Sequence, residues 1–148
     1  MTERFVIDTT SLISSFSLIF DRDNILSKKA YDIIYDSIYN IDSIYRLAIP
    51  SMVFIEIYRI WFLDDEFVKK FKFEIFDPIK NSPHVEIKEI DIEVMMEVLK
   101  IDDSLKNHEV NDKIIVASAI SLNCPIITTD TSIIKFSENS RNNLAAFS

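Results

Sequence analysis

Residues 110–130 have the sequence VNDKIIVASAISLNCPIITTD, which contains both kinds of element expected in the fold. Its first part, Val110–Leu122, is rich in Ile, Val and Ala and predicts a buried helix. Asn123 is expected to end this helix in a left-handed conformation, in place of the glycine that the sequence lacks. Residues 125–128 then predict a short buried strand, and Asp130 follows it. A helix followed at once by an apolar strand is typical of a parallel α/β sheet.

The same alternation extends over the rest of the chain. Short apolar stretches predict further strands at residues 4–7, 47–49, 85–87 and 144–147. Helical spacing of apolar residues and capping residues predict helices at 9–20, 28–40, 51–62, 64–76 and 91–105. Strands interleaved with helices predict an α/β fold, a three-layer α/β/α sandwich around a central, mostly parallel sheet. No linker or repeat interrupts the 148 residues, so we expect a single domain over residues 1–148.

The composition excludes several classes of protein. Because glycine is absent, a phosphate-binding P-loop and a dinucleotide-binding GxGxxG turn are excluded. One Cys and two His exclude a disulfide framework and an ordinary structural zinc site. A formal charge of −8 argues against a broad basic surface for nucleic acid. Without a signal peptide or an uncharged stretch long enough for a bilayer, the sequence predicts a cytoplasmic protein with no membrane contact.

Four carboxylates occupy positions where burial is expected. Asp8 and Asp130 each follow a predicted strand, Glu56 lies within an apolar helix, and Asp112 lies in the first turn of the 110–122 helix. In open parallel sheets, ligands bind beyond the carboxyl ends of the strands. Few basic residues are adjacent to these acids in sequence, although Arg59 lies one helical turn from Glu56. If the four acids converge, their repulsion calls for a cation, and an all-oxygen site suits Mg²⁺ or Mn²⁺.

Each acid also has a purely structural interpretation. Asp8 can cap the helix that follows it, and Asp112 gains from a helix dipole in any case. Asp130 can be a turn residue, and Glu56 can occupy a narrow solvent-facing stripe. The metal-site hypothesis therefore depends on the set of four and not on any one member.

The order of these motifs resembles the PIN-domain family over nearly the whole chain. The resemblance is carried by Val6-Ile7-Asp8-Thr9-Thr10, by Glu56 in its apolar helix, by residues 111–119 (NDKIIVASA) and by residues 125–130 (PIITTD). The family commonly has Gly after the Ala-rich helix, where this chain has Asn123-Cys124. The resemblance implies a metal-dependent ribonuclease that uses Mg²⁺ or Mn²⁺ at the carboxyl edge of its sheet. It assigns catalysis and metal binding to Asp8, Glu56, Asp112 and Asp130, and places Thr10 and Thr128 along the same site.

The implied reaction is hydrolysis of an RNA phosphodiester by a metal-activated water. The chain is most similar to the VapC-type toxin ribonucleases, which implies a homodimer inhibited by an antitoxin protein. Three alternatives stay open: a nuclease that processes ribosomal or transfer RNA, a non-catalytic PIN-like module that binds RNA or protein, and a different phosphotransfer domain. The haloacid-dehalogenase-like form of the last needs a second Asp at position 10, where this chain has Thr10.

Overall fold

The computed structural model describes residues 2–101, 109–138 and 144–148. Within these residues one sheet contains the strands β1 (Glu3–Ile7), β2 (Tyr45–Pro50), β3 (Val85–Lys88), β4 (Ile126–Ile127) and β5 (Ala146–Phe147). Their order is β3-β2-β1-β4-β5, and every neighbouring pair is parallel. The predicted parallel sheet is thus confirmed, although β4 and β5 are shorter than the apolar stretches that predicted them.

Helices cover the sheet on both faces, which confirms the α/β/α sandwich. They are α1 (Thr9–Ser15), α2 (Ser17–Phe20), α3 (Lys28–Tyr39), α4 (Ser51–Trp61), α5 (Asp65–Phe71), α6 (Asp77–Asn81), α7 (Ile92–Ile101), α8 (Val110–Leu122) and α9 (Thr131–Ser137). The last part of the helix predicted over 91–105 lies outside the described residues. No helix in the described ranges is both long and apolar enough to cross a membrane.

Two predicted helices differ in detail from the observed ones. The helix predicted over 9–20 is interrupted at Phe16, which has φ −118° and ψ 44° and whose N–H donates to the Ile13 carbonyl at 3.1 Å. The helix predicted over 64–76 continues through a π-helical turn, Lys72–Phe76, into α6. Pro78 lies in the first turn of α6, and the π turn just before it suits a residue that has no N–H to donate.

Asn123 ends α8 in the left-handed conformation, with φ 53° and ψ 44°, as the sequence predicted. The N–H of Asn123 donates to the Ile120 carbonyl, and the N–H of Cys124 donates to the Ala119 carbonyl, both at 3.0 Å. These bonds satisfy the free carbonyls at the end of the helix and turn the chain directly into β4.

The left-handed end of α8 yields a first prediction. Asn123→Ala should lower the free energy of unfolding by about 1 kcal/mol, because a β-carbon without a polar side chain is unfavourable at this φ. Asn123→Gly should be at least as stable as the natural protein, since glycine adopts this conformation freely. Urea unfolding of the three proteins measures the difference. Equal stability of the Ala and Gly variants would contradict the assignment.

Candidate active site

A cleft of about 390 Å³ opens at the carboxyl edge of the sheet. All four acids singled out in the sequence line it, together with residues of α1, of α4 and of the β4–α9 connection: Thr9, Thr10, Ile13, Ile60 and Thr129. The topology explains this convergence. β1 and β4 are neighbours that end at the same edge, α4 begins where β2 ends beside them, and α8 packs against both β1 and α4.

Asp8 is the first residue after β1, and its side chain is only 7% exposed. Its Oδ1 accepts from the backbone N–H of Ser11 at 2.9 Å, so Asp8 caps α1. Its Oδ2 accepts from the Thr128 hydroxyl at 2.5 Å. Burial raises the pKa of Asp8, the bonds from Ser11 and Thr128 act against this, and the negative charge of Asp130 raises the pKa further.

Thr128 connects two of the acids through one buried hydroxyl. Besides donating to Asp8, its Oγ1 accepts from the backbone N–H of Asp130 at 3.0 Å. The parallel register, in which Ile7 is paired with Ile127, brings Thr128 next to Asp8. The hydroxyl therefore holds the carboxyl ends of β1 and β4 in a fixed relation.

Glu56 lies on the wall formed by α4 and is half-buried. The Thr9 hydroxyl donates to its Oε1 at 2.6 Å. Burial raises the pKa of Glu56, the bond from Thr9 lowers it, the charge of Asp112 raises it, and the guanidinium of Arg59 lowers it. Glu56 is therefore a carboxylate that accepts one hydrogen bond, from Thr9, and lies near the negative charges of Asp112 and Asp8.

The hydroxyl group that donates to Glu56 belongs to Thr9, a residue that the sequence analysis did not single out. Thr10 also lines the cleft, but its side chain is exposed and the carboxylate contact belongs to its neighbour. Thr9 is the first residue of α1, and Asp8 caps that helix. The cap sets the rotation of the first helical turn, and this rotation directs Thr9 towards α4.

Asp130 and Asp112 complete the acidic lining. Asp130 caps α9, since its Oδ1 accepts from the N–H groups of Ser132 at 2.8 Å and Ile133 at 3.3 Å. Asp112 lies in the first turn of α8 and acts on Glu56 through its charge. Asp8 and Asp130 thus have both a structural role and a place in the candidate site, because each caps a helix and also lines the cleft.

The donor set fits a hard divalent cation in its chemistry, because carboxylate and hydroxyl oxygens are the ligands that Mg²⁺ and Mn²⁺ prefer. Burial raises the pKa of Asp8 and of Glu56, so the surrounding protein only partly compensates the negative charge of these two carboxylates. As the side chains stand, no three acidic, His or Cys residues of the described ranges are gathered tightly around one point. The residues that could hold an ion are Asp8, Asp130, Asp112 and Glu56, at the walls of one cleft.

A larger groove of about 500 Å³ lies between α2 and α3. Its lining is mainly apolar and aromatic and includes Tyr31, Tyr35 and Tyr39. The ring of Tyr35 contacts the rings of both Tyr31 and Tyr39. Glu74 is the one acidic residue that lines it. The converging carboxylates therefore distinguish the smaller cleft as the candidate active site.

The fold and the cleft define an α/β domain with an acidic site at the carboxyl edge of a parallel sheet. The chain belongs to the PIN domain family, whose model matches residues 5–139. No curated protein matches the chain significantly in sequence.

Three solved structures share the fold. The first is the VapBC2 complex from Rickettsia felis bound to a DNA fragment from its promoter, with 18% identity, a TM-score of 0.64, and coverage of 97% of this chain and 96% of the other. FitAcB from Neisseria gonorrhoeae has 14% identity, a TM-score of 0.63 and the same coverage. VapBC-5 from Mycobacterium tuberculosis, a member of a toxin–antitoxin family, has 13% identity, a TM-score of 0.61 and coverage of 97% of both chains.

The buried charge of Asp8 yields a second prediction, for protein free of divalent metal. Because burial raises its pKa in the folded state, stability is lost as pH rises through that pKa. Asp8→Asn removes this loss, so the variant should be more stable than the natural protein near neutral pH. The gain should vanish as pH falls towards 3.8, the ordinary value. Urea unfolding across this pH range measures it.

The control for this experiment is Glu93→Gln, which changes an exposed acid on α7 away from the cleft. Its stability should follow that of the natural protein at every pH. A pH-independent effect of Asp8→Asn, or a loss of stability at neutral pH, would contradict a net cost of the buried charge, because Asn caps a helix as well as Asp does.

The Thr128 hydroxyl yields a third prediction. Thr128→Val keeps the shape of the side chain but removes the bonds to Asp8 and Asp130, and should cost about 1–3 kcal/mol of folding free energy. Thr128→Ser keeps the hydroxyl and should lose clearly less. Urea unfolding at neutral pH compares the two variants, and a Val variant as stable as the Ser variant would contradict the assigned role of the hydroxyl.

Proposed function

We propose that this chain is a metal-dependent endoribonuclease that hydrolyses RNA phosphodiester bonds with an activated water. The observation that carries the proposal is the convergence of Asp8, Glu56, Asp112 and Asp130 on one cleft in a member of the PIN domain family. The four acids are distant in sequence, and gathering them in one cleft is unfavourable because Asp8 and Glu56 are desolvated and the carboxylates repel one another. Such a cost is typical of a functional site.

In this proposal Asp8 and Asp130 are the principal ligands of Mg²⁺ or Mn²⁺, and Asp112 completes the ligand set or holds a water of the ion. When bound, the cation supplies positive charge that polarises a phosphate oxygen and lowers the pKa of water. Thr128 fixes the spacing of Asp8 and Asp130 through its two hydrogen bonds. Asp8 and Asp130 are also anchored by the helices that they cap, so little reorganisation is needed.

Glu56 is suited to orient the attacking water and accept its proton. Its Oε1 is occupied by the Thr9 hydroxyl, and no described residue donates a hydrogen bond to its Oε2. Partial burial and the charge of Asp112 raise its pKa, which makes the carboxylate a better proton acceptor than an exposed one. Thr9 would then act as a positioning residue that directs Oε2 into the cleft.

The biological setting that we propose is the toxin of a cytoplasmic toxin–antitoxin pair, acting as a homodimer. The support is the fold that the chain shares with components of VapBC2 and VapBC-5, which were solved as complexes. The tyrosine-lined groove between α2 and α3 offers an antitoxin segment an apolar surface separate from the cleft. Processing of ribosomal or transfer RNA is the alternative role for the same cleft.

The test is cleavage of total bacterial RNA by the purified full chain, with Mg²⁺, with Mn²⁺ and with EDTA. We expect cleavage only with metal, and a loss of at least about a hundredfold in Asp8→Asn and Asp130→Asn. Glu93→Gln, which leaves the cleft unchanged, should cleave as the natural protein does. Induced expression in bacteria should stop growth with the natural chain and not with Asp8→Asn.

The outcomes separate the candidate functions. Metal-dependent cleavage without growth arrest would favour the processing nuclease over the toxin. Binding of RNA without any cleavage would favour the non-catalytic module. Cleavage retained by a pure preparation of Asp8→Asn would overturn the assigned roles of the acids.

A further inference from the structure

Arg59 lies on α4, the helix that contributes Glu56 and Ile60 to the acidic cleft. It follows Glu56 by three residues on α4, so the two side chains share one side of the helix. Its neighbour Ile60 lines the cleft directly. The side chain of Arg59 is exposed, and its charge acts on the carboxylate of Glu56.

Among the described residues, the guanidinium of Arg59 takes part in no hydrogen bond or ion pair. Two other arginines are used differently. Arg4 bonds to Glu86 and to the Cys124 sulfur, and Arg22 lies over the Trp61 ring. The side chain of Arg59, by contrast, is exposed and lies on α4 next to residues that line the cleft.

The charge of the protein makes such a donor significant for an RNA substrate. The chain carries a formal charge of −8, and four carboxylates line the cleft. A bound cation would compensate the phosphate that reacts, but the neighbouring phosphates of the strand would still meet an acidic surface. A planar guanidinium can bind a phosphate through two parallel hydrogen bonds.

We propose that Arg59 binds an RNA phosphate next to the one that is cleaved, and so guides the strand across the acidic cleft. This inference rests on the proposed ribonuclease function. Arg59 is a substrate-binding residue in this account. Its contact is made equally in the ground state and the transition state, so it should affect KM more than kcat.

The experiment measures the salt dependence of RNA binding, because each phosphate contact releases counterions. A labelled single-stranded RNA of 12 nucleotides and mixed sequence is the probe, with Asp8→Asn as the uncleaving parent and Ca²⁺ present. Adding Arg59→Gln should reduce the slope of log K against log salt by about 0.7. Adding Arg59→Lys keeps the charge and should leave the slope near that of the parent.

The matched control is Arg46→Gln. Arg46 is also exposed, but it lies near the amino end of β2, at the opposite edge of the sheet from the cleft. Its slope should equal that of the parent. In cleavage assays with the natural acids restored, Arg59→Gln should raise KM about tenfold, whereas Arg46→Gln should change neither KM nor kcat.

Failure of this inference is distinguishable from failure of the proposed function. If the natural chain cleaves RNA while Arg59→Gln changes neither the slope nor KM, the role of Arg59 is wrong and the nuclease stands. An equal reduction of the slope by Arg46→Gln would also overturn it, by showing diffuse attraction in place of a defined contact. If the natural chain neither cleaves nor binds RNA, both proposals fall.

Discussion

The parallel pairing of β1 with β4 is the constraint on which the site depends. Pairing Ile7 with Ile127 makes both strands end at one edge, and it brings Asp8 within a hydrogen bond of Thr128. From that edge the chain turns directly into α1 and α9, each capped by its own Asp. A shift of one residue in this register would reverse the side chains of β4 and separate the two acids. The sheet therefore determines the spacing of the carboxylates before any ligand is considered.

Gathering carboxylates at this edge opposes stability, and the local structure offsets part of the cost. Backbone N–H groups at two helix starts and hydroxyls from Thr128 and Thr9 all donate to the acids. These donors are neutral, so they compensate charge without removing it, and burial still raises the pKa of Asp8 and Glu56. The cleft is thus kept open to a positively charged ligand, because no basic side chain neutralises Asp8 and Glu56 through a direct ion pair within the described residues.

The sequence was sufficient for a parallel sheet and for placing Asp8 and Asp130 at its carboxyl edge, since each follows a short apolar strand. The order of the strands and the approach of Glu56 and Asp112 depend on how the helices pack on the sheet. The sequence also predicted the left-handed Asn123, because a glycine-free chain must use another residue there. It could not predict the interruption at Phe16, because residues 9–20 contain no proline or glycine and keep the helical spacing of apolar residues throughout. The choice between Thr9 and Thr10 depends on the rotation of α1, a three-dimensional property that no sequence pattern contains.

The double use of Asp8 and Asp130 has a consequence for judging relatives of this protein. Each Asp caps a helix start as well as lining the cleft. At Asp8 the buried charge opposes the benefit of the cap, whereas selection for folding alone would retain Asp130 after catalysis had been lost. Glu56 caps no helix, and burial raises its pKa. A homologue that has lost catalysis therefore gains little stability by keeping this residue. Among diverged homologues, Asp8 and the acid on α4 are therefore better markers of a working enzyme than Asp130.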